Sequence, residues 1–276
     1  MRADVLLVER GLAPSRTAAQ RLIAAGHVFA CAGSSRVALS KPSVSVAEDI
    51  SLEVEASDLD RFVSRGGLKL DGALTHIGLN VAHLHCLDVG QSTGGFTDCL
   101  LQRGAAHVVG VDVGHDQLHT RMRADQRVTC IEGVNARTLD ESVFVGAALA
   151  AIPFQQTTGS AAANRGQRRS KNTSFGLIVA DVSFISLTKV LPQWPALLAA
   201  KGRLLSLVKP QFEVGADNLA RGGIVRDVSL YAAVETLIRA ACEQAGLRVL
   251  DYFDSAITGT DGNCEFFVYA AAAEKP

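Results

Sequence analysis

The chain has 276 residues, enough for two domains that each bury a core. Its formal net charge is −1, from 27 basic and 28 acidic side chains, so no global charge demands a polyanionic partner. No apolar run reaches the roughly 18 residues of a membrane-spanning helix, and the N-terminus lacks the apolar core of a signal peptide.

Charge is nonetheless uneven. Residues 1–46 carry six basic side chains (Arg2, Arg10, Arg16, Arg21, Arg36, Lys41) against two acids, Asp4 and Glu9, whereas residues 48–60 carry six acids. Residues 2–11 read as a short helix ended by Gly11. Ser15 is a good N-cap for a second helix over 16–25, with Gly26 just past its end and with Arg16 and Arg21 on its polar side. Short strands are expected near 27–31, 35–39 and 50–54. The acidic stretch then gives way to Arg61-Phe-Val-Ser-Arg65-Gly-Gly-Leu-Lys69, which sets a domain boundary at 61–64, and a helix is expected from Lys69 through Ile77.

The next stretch organises the rest. Cys86 to Val89 is an apolar strand, followed by a Gly/Ser/Thr turn, a helix stopped by Gly104, and a second strand from Val108 to Val113: a βαβ unit. Asp112 lies 24 residues beyond Asp88, close to the spacing at which an acid ending the second strand meets ribose hydroxyls. The turn Gly90-Gln-Ser-Thr-Gly-Gly95 fits the dinucleotide fingerprint G-x-G-x-x-G poorly. It also spells the G-x-S-x-G of serine hydrolases, but all seven histidines fall in the first half of the chain, the wrong order for that triad. The remaining reading is the Asp-x-Gly-x-x-x-Gly turn of a nucleoside-cofactor pocket, met by Asp88, Gly90 and Gly94.

Further on, a strand is expected over 127–132 with Asn135 after it. Residues 147–152 read as structured. Residues 155–174 are polar and basic without an acid, and read as a mobile loop. A buried strand over 175–180 ends on Asp181, a helix is expected over 187–200, and a strand over 203–208 ends on Lys209. A helix over 229–246 and strands over 247–253 and 265–270 close the chain. Strands alternating with helices imply a mainly parallel α/β sheet, whose ligands bind at the carboxyl ends of its strands. The six cysteines form no C-x-x-C pair and mostly sit in apolar runs, which fits buried, reduced thiols in a cytoplasmic protein better than disulfides or zinc.

Two resemblances sharpen this reading. Asp4-Val-Leu-Leu-Val-Glu-Arg-Gly-Leu, Ser15-Arg16, Ala19-Gln20-Arg21-Leu-Ile-Ala-Ala-Gly26 and Lys41-Pro-Ser resemble an S4 RNA-binding domain over residues 1–60, although Cys31-Ala-Gly-Ser-Ser stands where such domains have a Val-Asn-Gly turn. Residues 65–276 resemble the FtsJ-like, Rossmann-like methyltransferase domain of the TlyA family, called haemolysins in older naming. The carrying motifs are Ser64-Arg-Gly-Gly-Leu-Lys69, Asp88-Val-Gly-Gln-Ser-Thr-Gly-Gly-Phe96, Arg103-Gly-Ala-Ala-His-Val-Val-Gly-Val-Asp112, Asp181-Val-Ser-Phe-Ile-Ser-Leu, Val208-Lys209-Pro-Gln-Phe-Glu-Val-Gly and Gly262-Asn-Cys-Glu265-Phe.

That resemblance implies S-adenosylmethionine (SAM) as cofactor, held by Asp88, Gly90, Ser92, Gly94, Gly95, Phe96, Asp112, Asn135 and Asp181. It implies a catalytic set of Lys69, Asp181, Lys209 and Glu265 for ribose 2′-O-methylation of ribosomal RNA, and no metal. The chain ends soon after its last strand, like the subgroup associated with large-subunit (23S) RNA. Arg2, Arg16, Arg21, Lys41 and Arg65 are the expected RNA contacts. A 2′-hydroxyl is a weak nucleophile, so Lys209, its charge disfavoured by Lys69 and partial burial, would accept the proton while Asp181 and Glu265 orient the groups. Gln91, where the family has a small residue, and the stretch 155–174 depart from the pattern. The alternatives are an RNA-binding or ribosome-assembly protein without turnover and a membrane-active haemolysin.

Overall fold

The structure is a computed structural model that describes residues 1–13, 15–33, 35–55, 61–147, 174–259 and 261–273. Residues 148–152 and 155–173, read above as structured and as a basic loop, lie outside them. The chain divides into two compact units, Met1–Arg61 and Phe62–Pro276.

The first unit packs helices α1 (Ala3–Glu9) and α2 (Arg16–Ala24) with a three-stranded antiparallel sheet. Its strands are β1 (Val28–Ala32), β2 (Ser35–Ala38) and β3 (Ser51–Val54), in the order β2-β1-β3. Ser15 caps α2, its Oγ accepting the Ala18 N–H at 3.2 Å, an interaction that stabilises a helix by about 1 kcal/mol. Leu6 and Leu7 from α1 meet Leu22 and Ile23 from α2 and Val28 from β1 in a small apolar core.

The second unit opens with α3 (Gly66–Ile77), which begins three residues before the expected Lys69. It continues through β4 (His85–Val89), α4 (Gly95–Gln102), β5 (His107–Asp112), α5 (Thr120–Arg123), β6 (Val128–Glu132), α6 (Glu141–Ala147) and β7 (Phe175–Ala180). It closes with β8 (Leu198–Val208), α7 (Leu230–Gln244), β9 (Leu247–Asp254) and β10 (Phe266–Ala272). The strands form one seven-stranded sheet in the order β6-β5-β4-β7-β8-β10-β9. Neighbours from β6 to β8 pair in parallel, and β10 runs antiparallel to both β8 and β9.

Side-chain alternation along the strands separates two apolar layers. Leu87, Ile178 and Leu204 face Trp194 and Ile238 on one side, while Cys86, Leu177 and Leu205 face Leu70, Leu74 and Leu100 on the other. The chain starts in mid-sheet at β4, moves outward to β6 and then crosses to the far side of β4 as β7. The order therefore reverses between β4 and β7, the place where an open α/β sheet leaves a crevice at its carboxyl edge.

Three expectations need correction. The helix over 187–200 is instead three single 3-10 turns, Leu187–Lys189, Leu191–Gln193 and Pro195–Leu197, followed directly by β8. Pro192 and Pro195 each lack the N–H that a continuous helix needs there. Residues 62–64 are not a free linker: Phe62 is buried, a Cβ on Gly67 would lie 2.3 Å from its ring, and the Val63 N–H donates to Asp98 Oδ2 at 2.8 Å. Cysteine burial is uneven, with Cys86, Cys99 and Cys242 buried and Cys264 exposed.

Candidate active site

The turn after β4 depends on backbone shapes that side chains would block. Gly90 has φ +82°, and a Cβ there would lie 2.6 Å from the carbonyl oxygen of Asp181, on the segment leaving β7. Gly94 has φ +90°, and a Cβ would meet Leu118 at 2.7 Å. Between them Ser92 takes a left-handed φ of +47°. Asp112 at the end of β5 closes the turn: Oδ2 accepts the Ser92 N–H and Oδ1 the Gly114 N–H, both at 2.7 Å. An ionised carboxylate can accept about four hydrogen bonds, so Asp112 keeps capacity for hydroxyl donors. Ser92 Oγ donates to Gln117 Oε1 at 3.2 Å.

Asp88 is sealed beneath this turn. Its Oδ2 accepts from Thr97 Oγ1 at 2.7 Å, and Thr97 Oγ1 accepts from Gln91 Nε2 at 2.9 Å. Burial pushes the Asp88 carboxyl up to about 7, against the opposing Thr97 hydrogen bond. Asp88 Oδ1 and Gln91 Oε1 are buried acceptors without a hydrogen-bond partner. Gln91 finds its room at Gly110, where a Cβ would lie 1.9 Å from the Gln91 side chain. The larger residue thus packs inward over β5. Phe96 is also turned inward, buried and stacked on Phe267 with ring centroids 6.3 Å apart, and Gly95 allows close approach of Ser64. Asn135 is exposed, and its Oδ1 accepts the Arg137 N–H at 3.0 Å.

The ionisable residues expected at strand ends gather at one edge of the sheet. Asp181 follows β7 and Lys209 follows β8, its parallel neighbour; Glu265 precedes β10, where Phe266 pairs with Val208 of β8. Lys209 Nζ lies 2.5 Å from Asp181 Oδ1 and donates to Ser183 Oγ at 2.7 Å. Lys69, in the second turn of α3, lies 2.5 Å from Glu265 Oε2. Side-chain exposure is 10% and 3% for Lys69 and Glu265, and 11% and 22% for Lys209 and Asp181. Each lysine therefore has its own carboxylate, where the sequence suggested two lysines acting on each other. With both lysines protonated and both carboxylates ionised, the group carries no net charge.

Sequence reasoning missed Thr97 and Ser183, although each lies within two residues of a named motif residue. It also missed Phe184, which is 92% exposed at a left-handed φ of +62°, its ring 5.4 Å from that of Phe212. Among the expected RNA contacts, Arg2 and Arg16 converge on Asp4: Arg2 Nε lies 2.9 Å from Oδ1 and Arg16 Nε 3.0 Å from Oδ2. Arg21 and Lys41 are exposed, and Arg65 donates to the Thr258 carbonyl at 3.2 Å. Among the described residues no cluster of three or more His, Cys, Asp or Glu could hold a metal ion.

Comparison with known proteins agrees with this architecture. Residues 62–272 match the FtsJ-like methyltransferase family and residues 1–29 match the S4 domain. The chain is 38% identical over 268 residues to the 16S/23S rRNA (cytidine-2′-O)-methyltransferase TlyA of Mycobacterium tuberculosis, covering 97% of this chain and 88% of that one. It is 32% identical over 210 residues to the 23S rRNA (cytidine-2′-O)-methyltransferase TlyA of Campylobacter jejuni, covering 75% and 70%, and 34% identical to Hemolysin A of Brachyspira hyodysenteriae, covering 98% and 99%. A solved structure described as a hemolysin of Streptococcus thermophilus superposes with a TM-score of 0.69 at 34% identity, covering 100% of this chain and 90% of that one. A Rossmann-like sheet reversing at β4, an S4 match in front and relatives of this identity along nearly the whole chain lead to one assignment: this is an enzyme of the FtsJ-like methyltransferase family, in its TlyA group.

Proposed function

We propose that the chain methylates the 2′-hydroxyl of a ribose in ribosomal RNA, with SAM as methyl donor, and that the large-subunit RNA is its substrate. Both TlyA relatives compared above carry 23S in their names. A protein acting on ribosomal RNA in this way works in the cytoplasm. The carrying observation is the pair of desolvated lysine–carboxylate contacts beside a glycine turn at the switch point of the sheet.

The turn suits a nucleoside cofactor. Its glycines clear the approach to the backbone, and Asp112 has acceptor capacity for ribose hydroxyls. Asp88 contributes from below by fixing Thr97 and Gln91, since its own carboxylate is enclosed. SAM supplies an electrophilic methyl group. For the chain's own part, Lys209 in its neutral amine form accepts the proton that the 2′-hydroxyl gives up, Asp181 and Ser183 hold its nitrogen in place, and the Lys69–Glu265 pair orients the ribose. Phe184 and Phe212 offer aromatic surface of the kind on which unstacked bases pack. Residues 1–60 act as the RNA-binding domain, through Arg2, Arg16, Arg21 and Lys41 against phosphates.

The test is transfer of labelled methyl from SAM to ribosomal RNA by the purified protein, with the product nucleotide mapped by mass spectrometry. A 2′-O-methylated ribose in 23S RNA is expected. RNA binding without methyl transfer would favour an assembly role instead. Lysis of red cells by the purified protein would favour the haemolysin reading; no helix among the described residues is long and apolar enough to cross a membrane.

A further inference from the structure

Beyond Ala180 and Ser206 the parallel ladder of β7 and β8 ends, yet the segments leaving those strands carry Asp181 and Lys209. Each segment stays anchored to its other neighbour, the Asp181 N–H donating to the Val89 carbonyl at 3.0 Å and Val208 pairing with Phe266, but past these points the links between the two segments are made by side chains. Three such links lie at or near the reacting groups: Lys209 to Asp181, Lys209 to Ser183, and the Phe184–Phe212 ring contact. A fourth lies farther out and holds main chain. Glu213, four residues past Lys209, accepts the Leu187 N–H on Oε1 at 2.7 Å and the Ser186 hydroxyl on Oε2 at 2.6 Å. Ser186 Oγ also contacts Thr188 Oγ1 at 2.7 Å, so the turn at 186–188 is tied to this one carboxylate.

We propose that Glu213 is a positioning residue for methyl transfer, clamping the 181–188 segment to the 209–213 segment so that Asp181 and Ser183 meet Lys209 correctly. The proposal rests on the catalytic reading of Lys209 and Asp181 given above. Two features argue for it. Glu213 is partly enclosed, and burial pushes its carboxyl up, opposed by the bonds from Ser186 and Leu187 and by the charge of Lys189. A half-buried acid without a salt-bridge partner is costly, and a solvent-facing side chain would avoid that cost. Phe184, between Ser183 and the clamped turn, is held at a left-handed φ of +62°, which a bulky residue keeps only where its surroundings over-determine it. Glu213 supplies that restraint at residues 186 and 187. Without it, Phe184 can relax to negative φ and draw Ser183 away from Lys209.

The experiment compares the wild-type enzyme with Glu213→Ala and Glu213→Gln, measuring kcat and KM on ribosomal RNA, SAM affinity by calorimetry, thermal melting, and amide exchange at Leu187. Glu213→Ala should lower kcat by roughly 10–100-fold, the scale of misplacing a reacting group by about an ångström, with SAM affinity and melting nearly unchanged. The Leu187 amide should exchange faster. Glu213→Gln should restore most of kcat, because its amide oxygen can accept the Leu187 N–H while the Ser186 hydroxyl turns to accept from its NH₂. Full turnover in Glu213→Ala overturns the proposal. So does a parallel loss of turnover, SAM affinity and melting temperature in both variants, which marks a merely structural role. If the wild-type enzyme transfers no methyl group to RNA, the catalytic reading itself fails, and the Leu187 exchange rate then reports the clamp alone.

Discussion

The two units use ion pairs in opposite ways. In the first, one fully buried carboxylate, Asp4, receives two arginines and the Gln20 amide, and the guanidinium of Arg2 and the other donors hold its carboxyl well below the usual carboxylate range despite its burial. Two cations share one anion, and the arginines remain 44% and 57% exposed. Arg16 spends only Nε on Asp4, leaving its other nitrogens for an outside partner. In the second unit every lysine of the site has its own carboxylate, and all four side chains are at most 22% exposed. The first arrangement holds positive charge in a set direction while leaving it available. The second leaves no net charge when all four groups are ionised, and it fixes the placement of two lysine nitrogens. An acid among arginines can therefore orient them, and a buried lysine paired with its own carboxylate carries no net charge to attract a polyanion.

This contrast can be broken most sharply at Lys209. Lys209→Ala should cut turnover on RNA by ~10²–10⁴-fold, the span for losing an acid–base group, with SAM binding nearly unchanged. Lys209→Arg should remain inactive, because a guanidinium keeps the charge but does not give up its proton. Near-normal turnover in Lys209→Arg would reduce Lys209 to a positioning charge.

Next in size is the cost of orphaning a desolvated charge. Lys69→Met should destabilise the second unit by about 3–5 kcal/mol, because Glu265 then stays enclosed without a cation. The double variant Lys69→Met with Glu265→Leu should recover most of that stability while remaining inactive. Denaturant unfolding of these two variants and of Glu265→Leu alone reads the cycle. Additive losses would mean that the two side chains do not interact in solution.

In the first unit single charges should matter less. Replacing Arg16 and Arg21 with Ala should weaken RNA binding and reduce its salt dependence by a slope of about one per lost phosphate contact, with SAM affinity unchanged. Filter binding across a salt series decides it, and an unchanged slope would place the RNA contacts elsewhere.

At acid pH the contrast can be sharpened at Asp4 itself. Its folded-state pKa lies below the unfolded value of about 3.9, so the stability it confers is complete above that pH and drains away as pH falls towards the folded value. Carbon-detected NMR titration should show the Asp4 carboxyl still ionised where exposed aspartates are protonated. Asp4→Asn should flatten the acid dependence of melting of the first unit. An ordinary Asp4 titration would mean that Arg2 and Arg16 are not tethered.

Local signals announced much of this architecture. Short continuous apolar runs bounded by glycine marked β4 and β5, Ser15 marked the start of α2, and Asp181 and Lys209 stood out because a charge directly after a buried strand has few structural uses. Pro192 and Pro195 were equally visible, and the expected helix over 187–200 ignored what a missing N–H does to the i→i−4 ladder. Partnership was another matter. Nothing local links Lys69 to Glu265, Lys209 to Asp181, or Arg2 and Arg16 to Asp4, because a charge in a sequence carries a sign and no address. Likewise Asp88 reads as a cofactor ligand until the fold seals it beneath the turn, and Gln91 reads as a departure from a small residue until Gly110 on the next strand makes room for it. What the sequence determined by itself was which residues end at the carboxyl edge of the sheet, since strand periodicity is a property of neighbouring residues. Which carboxylate holds which cation was decided only by the tertiary structure, because burial and strand order set the distances, and Coulomb attraction and desolvation depend on those distances alone.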